Sequence, residues 1–247
     1  MRVDELLPTL LRSDPARPRI TCYDDGSGER IELSGRVLNN WVAKAANLLQ
    51  DEFDAGPGTR IRLDLPPHWR TAYWALAGWA VGATLDLSDA EPDVLVSADP
   101  AAAADSGADG RVVVTLAALA RGAAVPLEPG VMDEARELAG YPDQFSAWAR
   151  AGDTDLALVP PAGTAPLPYA VTPPSHPELT PATSGSGTPG ARVHLTASRT
   201  AGGLATADFL ALLVATYAAD GSLVLSLDPD PQALAARVEA EGVTESR

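Results

Sequence analysis

The stretch from Arg60 to Leu87 constrains the fold of this chain more than any other. It opens with Arg-Ile-Arg-Leu-Asp-Leu, whose alternating apolar residues predict a strand with one buried face. Pro66 and Pro67 end that strand, and Pro67 can begin a helix because its missing N–H is not needed there. Apolar residues then recur at helical spacing as far as Gly82, which we expect to end the helix, and a second apolar run follows. Strand, helix and strand in so short a stretch predict a βαβ crossover, and therefore a parallel sheet with helices on its faces.

Composition places the chain in a broad class. At 247 residues it is long enough for one large domain or two small ones, and 46% hydrophobic residues can supply a core. No apolar run approaches the roughly 18 residues that a transmembrane helix needs. The first five residues are acidic in character and lack the apolar segment of a signal peptide. The single cysteine, Cys22, excludes an internal disulfide, so we expect a cytoplasmic protein in which Cys22 is a small buried strand residue.

The charge of the chain limits its partners and its chemistry. The formal net charge is −15, which argues against nucleic acid and against membrane surfaces as partners. Lys44 is the only lysine among 18 basic residues, so any lysine-dependent mechanism must use it. We interpret Lys44 as a solvated helix residue, since it falls near the polar side of a predicted helix.

The remaining patterns predict a three-part chain. Residues 1–159 form an N-terminal α/β region, residues 160–190 a connector, and residues 191–247 a returning α/β segment that we expect to pack on the same sheet. Outside the central unit, the N-terminal region is predicted to contain a helix over 3–11, strands over 19–23 and 30–33, a helix over 34–53 capped by Ser34, strands over 93–97 and 112–114, helices over 132–139 and 142–150, and a strand over 156–159.

The connector differs in composition from the rest of the chain. It holds nine prolines and many Gly, Ser and Thr residues, which predicts an exposed segment with little regular structure and one strand near 167–171. The returning segment then predicts strands over 193–197 and 223–227, and helices over 200–219 and 231–242. Asp230, just before Pro231, is the expected cap of the last helix.

The order of these elements resembles a known family. The run DAGPGTRIRLDLPPHWRTAYWALAGWAVGATLDLS is similar to the N-terminal part of the acyl-adenylate-forming, AMP-binding ligases, which read L-x-x-G-D-x-V-x-I-x-L-P-N and later A-G-A here. The tail GSLVLSLDPDPQALAARVEAEGVTESR resembles the family segment in which a strand leads to a helix ending in Val-Thr. The resemblance covers most of the chain. It implies an α/β fold with a largely parallel sheet and helices on both faces, and ATP, AMP or an acyl group as ligand.

The same resemblance suggests a phosphate-binding segment. The family carries a loop of the type T-S-G-T-T-G-x-P-K-G, whose small residues surround the ATP phosphates. Here the proline arrives one residue early, Gly190 stands where the lysine is expected, and Arg192 is left to supply the charge. The candidate phosphate-binding residues are Thr183, Ser184, Gly185, Ser186, Gly187, Thr188 and Arg192. A flexible linker of similar composition explains the same residues, and both interpretations stay open.

No catalytic residue and no metal ligand can be assigned from the sequence. Complete ligases carry a Tyr-Gly-x-Thr-Glu motif, a ribose-binding aspartate and a catalytic lysine, and none of these can be matched here. The three histidines lack ligand spacing, and His176 is the one in a predicted loop. Asp64 and Asp86 lie on neighbouring predicted strands, either as a pair for acid–base chemistry or as outward-facing polar residues.

Three functions remain open from the sequence. The first is a truncated, catalytically inactive relative of the ligases, a pseudoenzyme that retains some nucleotide or acyl binding. The second is an interaction or scaffold protein that pairs with another protein or with itself. The third is an AMP-forming acid ligase that a partner chain completes.

Overall fold

The computed structural model describes residues 1–171, 188–198 and 204–247. The strands are β1 (Pro18–Asp24), β2 (Glu29–Ser34), β3 (Arg60–Asp64), β4 (Thr84–Asp86), β5 (Val94–Ser97), β6 (Gly110–Val113), β7 (Met132–Asp133), β8 (Leu156–Val159), β9 (Leu167–Pro168), β10 (Arg192–Ala197), β11 (Ser222–Leu227) and β12 (Glu245–Ser246). The helices are α1 (Leu6–Ser13), α2 (Gly35–Phe53), α3 (Trp69–Val81), α4 (Pro100–Asp105), α5 (Glu134–Glu137), α6 (Thr206–Ala218) and α7 (Pro231–Ala240), with 3-10 turns at Val3–Glu5 and Leu138–Gly140.

The strands divide between two sheets. A five-stranded sheet has the order β12-β10-β11-β1-β2, and a seven-stranded sheet has the order β7-β6-β5-β3-β4-β8-β9. All neighbours are parallel except β1 with β2 and β8 with β9. The expectation of a largely parallel α/β fold with flanking helices is therefore confirmed.

The expectation of a single sheet is not met. β1 uses one edge for β2 and the other for β11, so the returning segment extends the N-terminal hairpin rather than the sheet of β3. The division of the chain at residues 159 and 190 stays a prediction.

Helix α3 occupies the centre of the molecule, as the βαβ pattern predicts. Every residue of α3 except Ala80 is buried, and the helix contacts strands of both sheets. His68 caps it, accepting a hydrogen bond from the Arg70 N–H at 3.3 Å, so the helix begins after His68 rather than at Pro67. Gly82 ends it in the left-handed region at φ 90°, as expected. The Trp79 indole N–H donates to the carbonyl of Ala157 at 2.8 Å, which fixes α3 against β8.

The segment that follows α5 is the clearest departure from the predicted helices. Residues 139–148, here called the strap, are not α-helical beyond a single 3-10 turn, although the sequence predicts a helix over 142–150. The helix predicted over 132–139 is present in part, as α5 and that turn. Side chains of α2 bind the strap backbone instead. Lys44 Nζ donates to the carbonyls of Ala139 (2.9 Å) and Tyr141 (2.5 Å), and Asn47 Nδ2 donates to those of Pro142 (3.0 Å) and Gln144 (2.9 Å). The interpretation of Lys44 as a solvated residue is therefore wrong.

The described part of the connector is tied into the fold. Residues 167–168 pair with β8, which confirms a strand near 167–171. The Tyr169 side chain is fully buried, and its hydroxyl donates to the carbonyl of Ala83 at 2.7 Å. The N-terminus pairs here as well, through a bridge between Arg2 and Ala170. Residues 172–187, including His176, and residues 199–203 lie outside the described part of the chain.

Among the helices described, none combines the length and the apolar character needed to cross a membrane. Cys22 is buried in β1, as predicted.

Candidate functional site

The described end of the phosphate-loop-like segment leads into the amino end of β10. Thr183 to Gly187 lie outside the described residues. Of the candidate phosphate-binding residues, the structure therefore describes only Thr188 and Arg192. The Thr188 N–H donates to Glu245 Oε1 at 3.1 Å, and this contact lowers the pKa of Glu245. Gly190 adopts a positive φ of 74°, and its carbonyl accepts a hydrogen bond from Arg17 at 2.6 Å. The segment therefore enters the five-stranded sheet against a carboxylate of the C-terminal residues.

The Arg192 side chain also meets a carboxylate. Its guanidinium forms an ion pair with Glu241, just beyond α7, and donates to Thr21 Oγ1 at 3.0 Å and Ser222 Oγ at 3.3 Å. The positive charge that the sequence suggests for phosphate binding is thus neutralised within the chain.

Glu241 receives two further hydrogen bonds. The Tyr23 hydroxyl donates to its Oε1 at 2.5 Å, and Arg30 Nη2 donates to the same oxygen at 2.8 Å. Burial alone raises the pKa of Glu241, but the hydrogen bonds from Tyr23, Arg30 and Arg192 outweigh it and hold that pKa at about 2. Glu241 is therefore ionised throughout the physiological range.

These contacts lie on one face of the five-stranded sheet, which we call the polar sheet face. Successive strand residues point to opposite faces, so each strand contributes one alternate set. The polar sheet face carries Thr21, Tyr23, Arg30, Glu32, Arg192, His194, Ser222 and Ser226, whereas Ile20, Cys22, Val193, Leu195, Leu223 and Leu225 enter the core. His194 Nε2 lies 3.0 Å from Ser226 Oγ, and burial together with the charge of Arg237 lowers the pKa of His194.

A second region of interest lies at the carboxyl ends of the strands, where ligands bind in open α/β sheets. The residues that follow β3 and β6 meet there with the ends of β10 and β11, and we call the space between them the carboxyl-edge crevice. It is lined by Pro66, Pro67, His68, Leu116, Ala197, Ser198 and Leu227. Its volume is about 10 Å³. Ser198 Oγ donates to Asp228 Oδ1 at 2.7 Å. Thr188 and Arg192 enter their sheet from the opposite, amino edge.

The candidate pair Asp64 and Asp86 is not brought together as an acid–base pair. Asp86 binds Arg60, whose Nε donates to Oδ2 at 2.8 Å, whereas Asp64 accepts a hydrogen bond from Ser97 Oγ at 2.6 Å. Burial raises the pKa of Asp86, but hydrogen bonds from Ser88 and Arg60 outweigh it and lower that pKa. Within residues 1–171, 188–198 and 204–247, no group of three His, Cys, Asp or Glu side chains is arranged to hold a metal ion.

A larger opening, which we call the strap cleft, lies between α1, α2, α3 and the strap. Its volume is about 770 Å³, and Leu7, Val42 and Leu76 contribute apolar surface to it. Trp148 lines it with 67% of its surface exposed. Sequence reasoning missed this opening, because it depends on the irregular course of the strap.

Comparison with known proteins identifies a family for this chain. No protein-family model matches the chain. A TIGR03089 family protein of Mycobacterium tuberculosis H37Rv is 37% identical over 254 residues, which cover 97% of this chain and 95% of that protein.

Solved structures agree on the fold. An acyl-CoA synthetase of Brucella canis superposes with a TM-score of 0.70 at 16% identity, over all of this chain and 47% of the other. The N-terminal domain of FACL13 from Mycobacterium tuberculosis gives 0.65 at 15% identity, over 100% and 62% of the two chains. The amide bond synthetase McbA of Marinactinospora thermotolerans gives 0.61 at 17% identity, over 100% and 48%.

This chain therefore spans about half the length of the two full synthetases. The likeness confirms the fold that the sequence resemblance implies, that of the N-terminal part of the AMP-binding superfamily. The Mycobacterium tuberculosis relative matches this chain over nearly the whole length of both, and the chain therefore belongs to the TIGR03089 family.

Proposed function

We propose that this chain is a binding module with the AMP-binding fold, which holds the acyl or adenosine part of a ligand and does not itself form an acyl-adenylate. One observation carries the proposal. Both candidate phosphate-binding residues that the structure describes are bound to carboxylates of the chain, Thr188 to Glu245 and Arg192 to Glu241.

These carboxylates do not fit a nucleoside triphosphate. Adenylation needs positive charge and N–H donors aimed at the phosphates, because negative charge develops there in the transition state. At Thr188 and Arg192 such donors already serve an anion of the chain, and an approaching phosphate meets like charge. We therefore expect that Arg192 does not act as the substitute for the missing lysine while Glu241 is in place.

The lining of the carboxyl-edge crevice supports an acyl or adenosine group as the ligand. Its described lining is mainly apolar, with Leu116 and Leu227 beside the prolines, and His68 and Ser198 are the polar side chains. Apolar walls with few polar groups suit an acyl chain or an adenine ring better than a triphosphate. At about 10 Å³ the crevice has room for one water molecule at most, so such a ligand binds there only if the crevice widens.

Thermal unfolding with ligands tests the proposal. We expect AMP or a non-hydrolysable acyl-adenosine sulfamate to raise the melting temperature, and we expect no pyrophosphate exchange with Mg-ATP and a panel of carboxylic acids. Leu116→Trp, which places a larger side chain in the lining of the crevice and opposes its widening, should remove the stabilisation, whereas Arg192→Gln should keep it. Clear exchange activity, or equal stabilisation of Leu116→Trp, would contradict the proposal.

A second candidate function, an interaction module, is favoured by Trp148. This indole is exposed although its own backbone N–H is fixed, donating to Gln50 Oε1 at 2.9 Å. Aromatic residues presented on an anchored backbone are typical centres of binding surfaces. Asp4, Glu5 and Asp143 outnumber Arg150 around the strap cleft, so the matching partner is a segment with an apolar side chain next to a lysine or arginine.

Peptide arrays separate this second function from the first. We expect enrichment of apolar–basic sequences over apolar–acidic ones, and loss of that enrichment in Trp148→Ala. Equal binding of both sets would exclude the strap cleft as such a surface. A second copy of this chain is a poor partner at a net charge of −15, and light scattering after size-exclusion chromatography should report a monomer.

A further inference from the structure

Three donors on three different strands converge on the carboxylate of Glu241. Tyr23 on β1 and Arg30 on β2 donate to Oε1, and Arg192 on β10 donates to Oε2. The Glu241 side chain is only 8% exposed. Two guanidinium groups and a hydroxyl around one buried anion form an arrangement typical of phosphate and carboxylate recognition.

The three donors are held in place by residues other than Glu241. Arg192 is fixed by Thr21 and Ser222, both fully buried. Arg30 Nε donates to the Tyr23 hydroxyl at 2.9 Å, and the Arg237 guanidinium lies 4.2 Å from the centre of the Tyr23 ring. Arg192 is therefore fixed by residues of the sheet, whereas the Tyr23 ring also packs against Arg237, a residue of α7.

The element that delivers Glu241 lies on the surface of the sheet and is attached through Arg237, whose guanidinium donates to Asp25 Oδ1 at 2.5 Å and to Ser226 Oγ at 3.0 Å. None of the residues of α7 is buried, and Leu234, Arg237 and Val238 make its half-buried side. Glu241 is the residue immediately after the helix, where the negative end of the helix dipole disfavours a carboxylate. The hydrogen bonds from the sheet, and not the helix dipole, therefore stabilise the carboxylate of Glu241 in this position.

We propose that Tyr23, Arg30 and Arg192 form an oxyanion site on the polar sheet face, that its ligand is a phosphate or carboxylate group of a small molecule, and that Glu241 occupies it as a tethered substitute. Without Glu241, the two arginines there exceed Glu32 by one positive charge. An external oxyanion then accepts the same hydrogen bonds. Lifting α7 from the sheet, which requires breaking the contacts of Arg237 with Asp25 and Ser226, would open the site in the native chain.

This inference goes beyond the proposed function and can fail separately from it. The oxyanion site lies on the outer face of the five-stranded sheet, whereas the proposed ligand lies in the carboxyl-edge crevice. Ligand stabilisation and pyrophosphate exchange report on the crevice, and the experiment below reports only on the polar sheet face.

Titration calorimetry of Glu241→Ala with inorganic phosphate tests the inference. We expect Glu241→Ala to bind phosphate at least about tenfold more tightly than the wild-type chain, with an affinity that falls as salt is added. Glu241→Ala/Arg192→Gln should lose this gain, because it lacks one of the two guanidinium groups. A parallel titration with acetate distinguishes a carboxylate site from a phosphate site, since acetate alone would bind if carboxylates are the ligand.

Glu241→Ser serves as a second variant if Glu241→Ala does not fold. A cooperatively melting variant of either kind that binds neither phosphate nor acetate would overturn the inference. Equal phosphate binding with and without Arg192→Gln would overturn it as well, because binding would then occur elsewhere.

Discussion

Arg70 Nη1 lies 2.7 Å from Glu134 Oε1, and the two side chains are only 3% and 1% exposed. The pair joins α3, at the centre of the molecule, to α5. The Tyr73 hydroxyl donates to the same carboxylate oxygen, and the Arg70 guanidinium lies 4.5 Å from the centre of the Trp69 ring. Within the described residues, Arg70 Nε and Glu134 Oε2 have no hydrogen-bond partner. The buried ions are thus paired with each other but only partly satisfied.

Breaking this pair should destabilise the chain more than removing it. Glu134→Gln leaves Arg70 buried without a counter-ion, so we expect a loss of about 3–5 kcal/mol in the free energy of unfolding. Arg70→Met/Glu134→Leu removes both charges, and we expect it to cost less than either single substitution. Urea unfolding of Glu134→Gln, of Arg70→Met and of the double variant measures these differences. A double variant that loses the sum of both single effects would contradict this expectation.

Glu241 should make stability depend on pH in the acidic range. Its pKa of about 2 in the folded chain lies below its ordinary value of 4.5, so the unfolded chain binds the proton more tightly. The stabilisation is therefore complete above about pH 5 and is lost as the pH falls toward 2. Urea unfolding at a series of pH values should show a smaller acid loss for Glu241→Gln than for the wild-type chain. Equal losses would show that the contacts of Glu241 do not stabilise the fold.

Gly82 should tolerate alanine poorly for two separate reasons. Its φ of 90° strains any side chain, and an added Cβ lies 3.1 Å from Pro57 and 3.3 Å from the backbone nitrogen of Ala151. Gly28 is a matched control, because it has φ 76° but no atom within 4 Å of an added Cβ. We expect Gly28→Ala to cost about 1 kcal/mol and Gly82→Ala clearly more, measured by thermal unfolding. Equal costs would show that the contacts around Gly82 relax freely.

Asn47 should control the order of the strap. Asn47→Ala removes two hydrogen bonds to the carbonyls of Pro142 and Gln144, so we expect a loss of about 1–3 kcal/mol. Amide hydrogen exchange should accelerate in residues 139–148 while β3 and β5 stay protected. Asn40→Ala, on the same helix, is the control and should leave the strap unchanged. Uniform acceleration across the chain would indicate global destabilisation instead.

Features set by near neighbours were predicted well from the sequence. Ser34 and Asp230 cap α2 and α7 as expected, because a cap depends only on residues two or three positions away. The start of α4 carried the same kind of signal and was missed. Asp99 precedes Pro100 and an alanine run, and its side chain accepts a hydrogen bond from the Ala101 N–H.

Features set by distant residues could not be predicted in this way. The strap is not helical because donors on α2, almost a hundred residues earlier, bind its carbonyls. The polar sheet face could not be predicted, since alternation along the strands does not show that Glu241 and Arg237 cover it. Of the candidate phosphate-binding residues, the structure describes only Thr188 and Arg192. The phosphate-binding role of all the candidates stays a prediction.

The pairing of β1 with β11 has a consequence for how the chain is made. Ile20 lies opposite Leu223, so β1 leaves the ribosome some two hundred residues before β11, the strand with which it pairs. Until then the hairpin exposes the edge that β11 will cover, and such unpaired edges attract other chains. Nascent chains of this protein should therefore depend on chaperones that shield strand edges during synthesis.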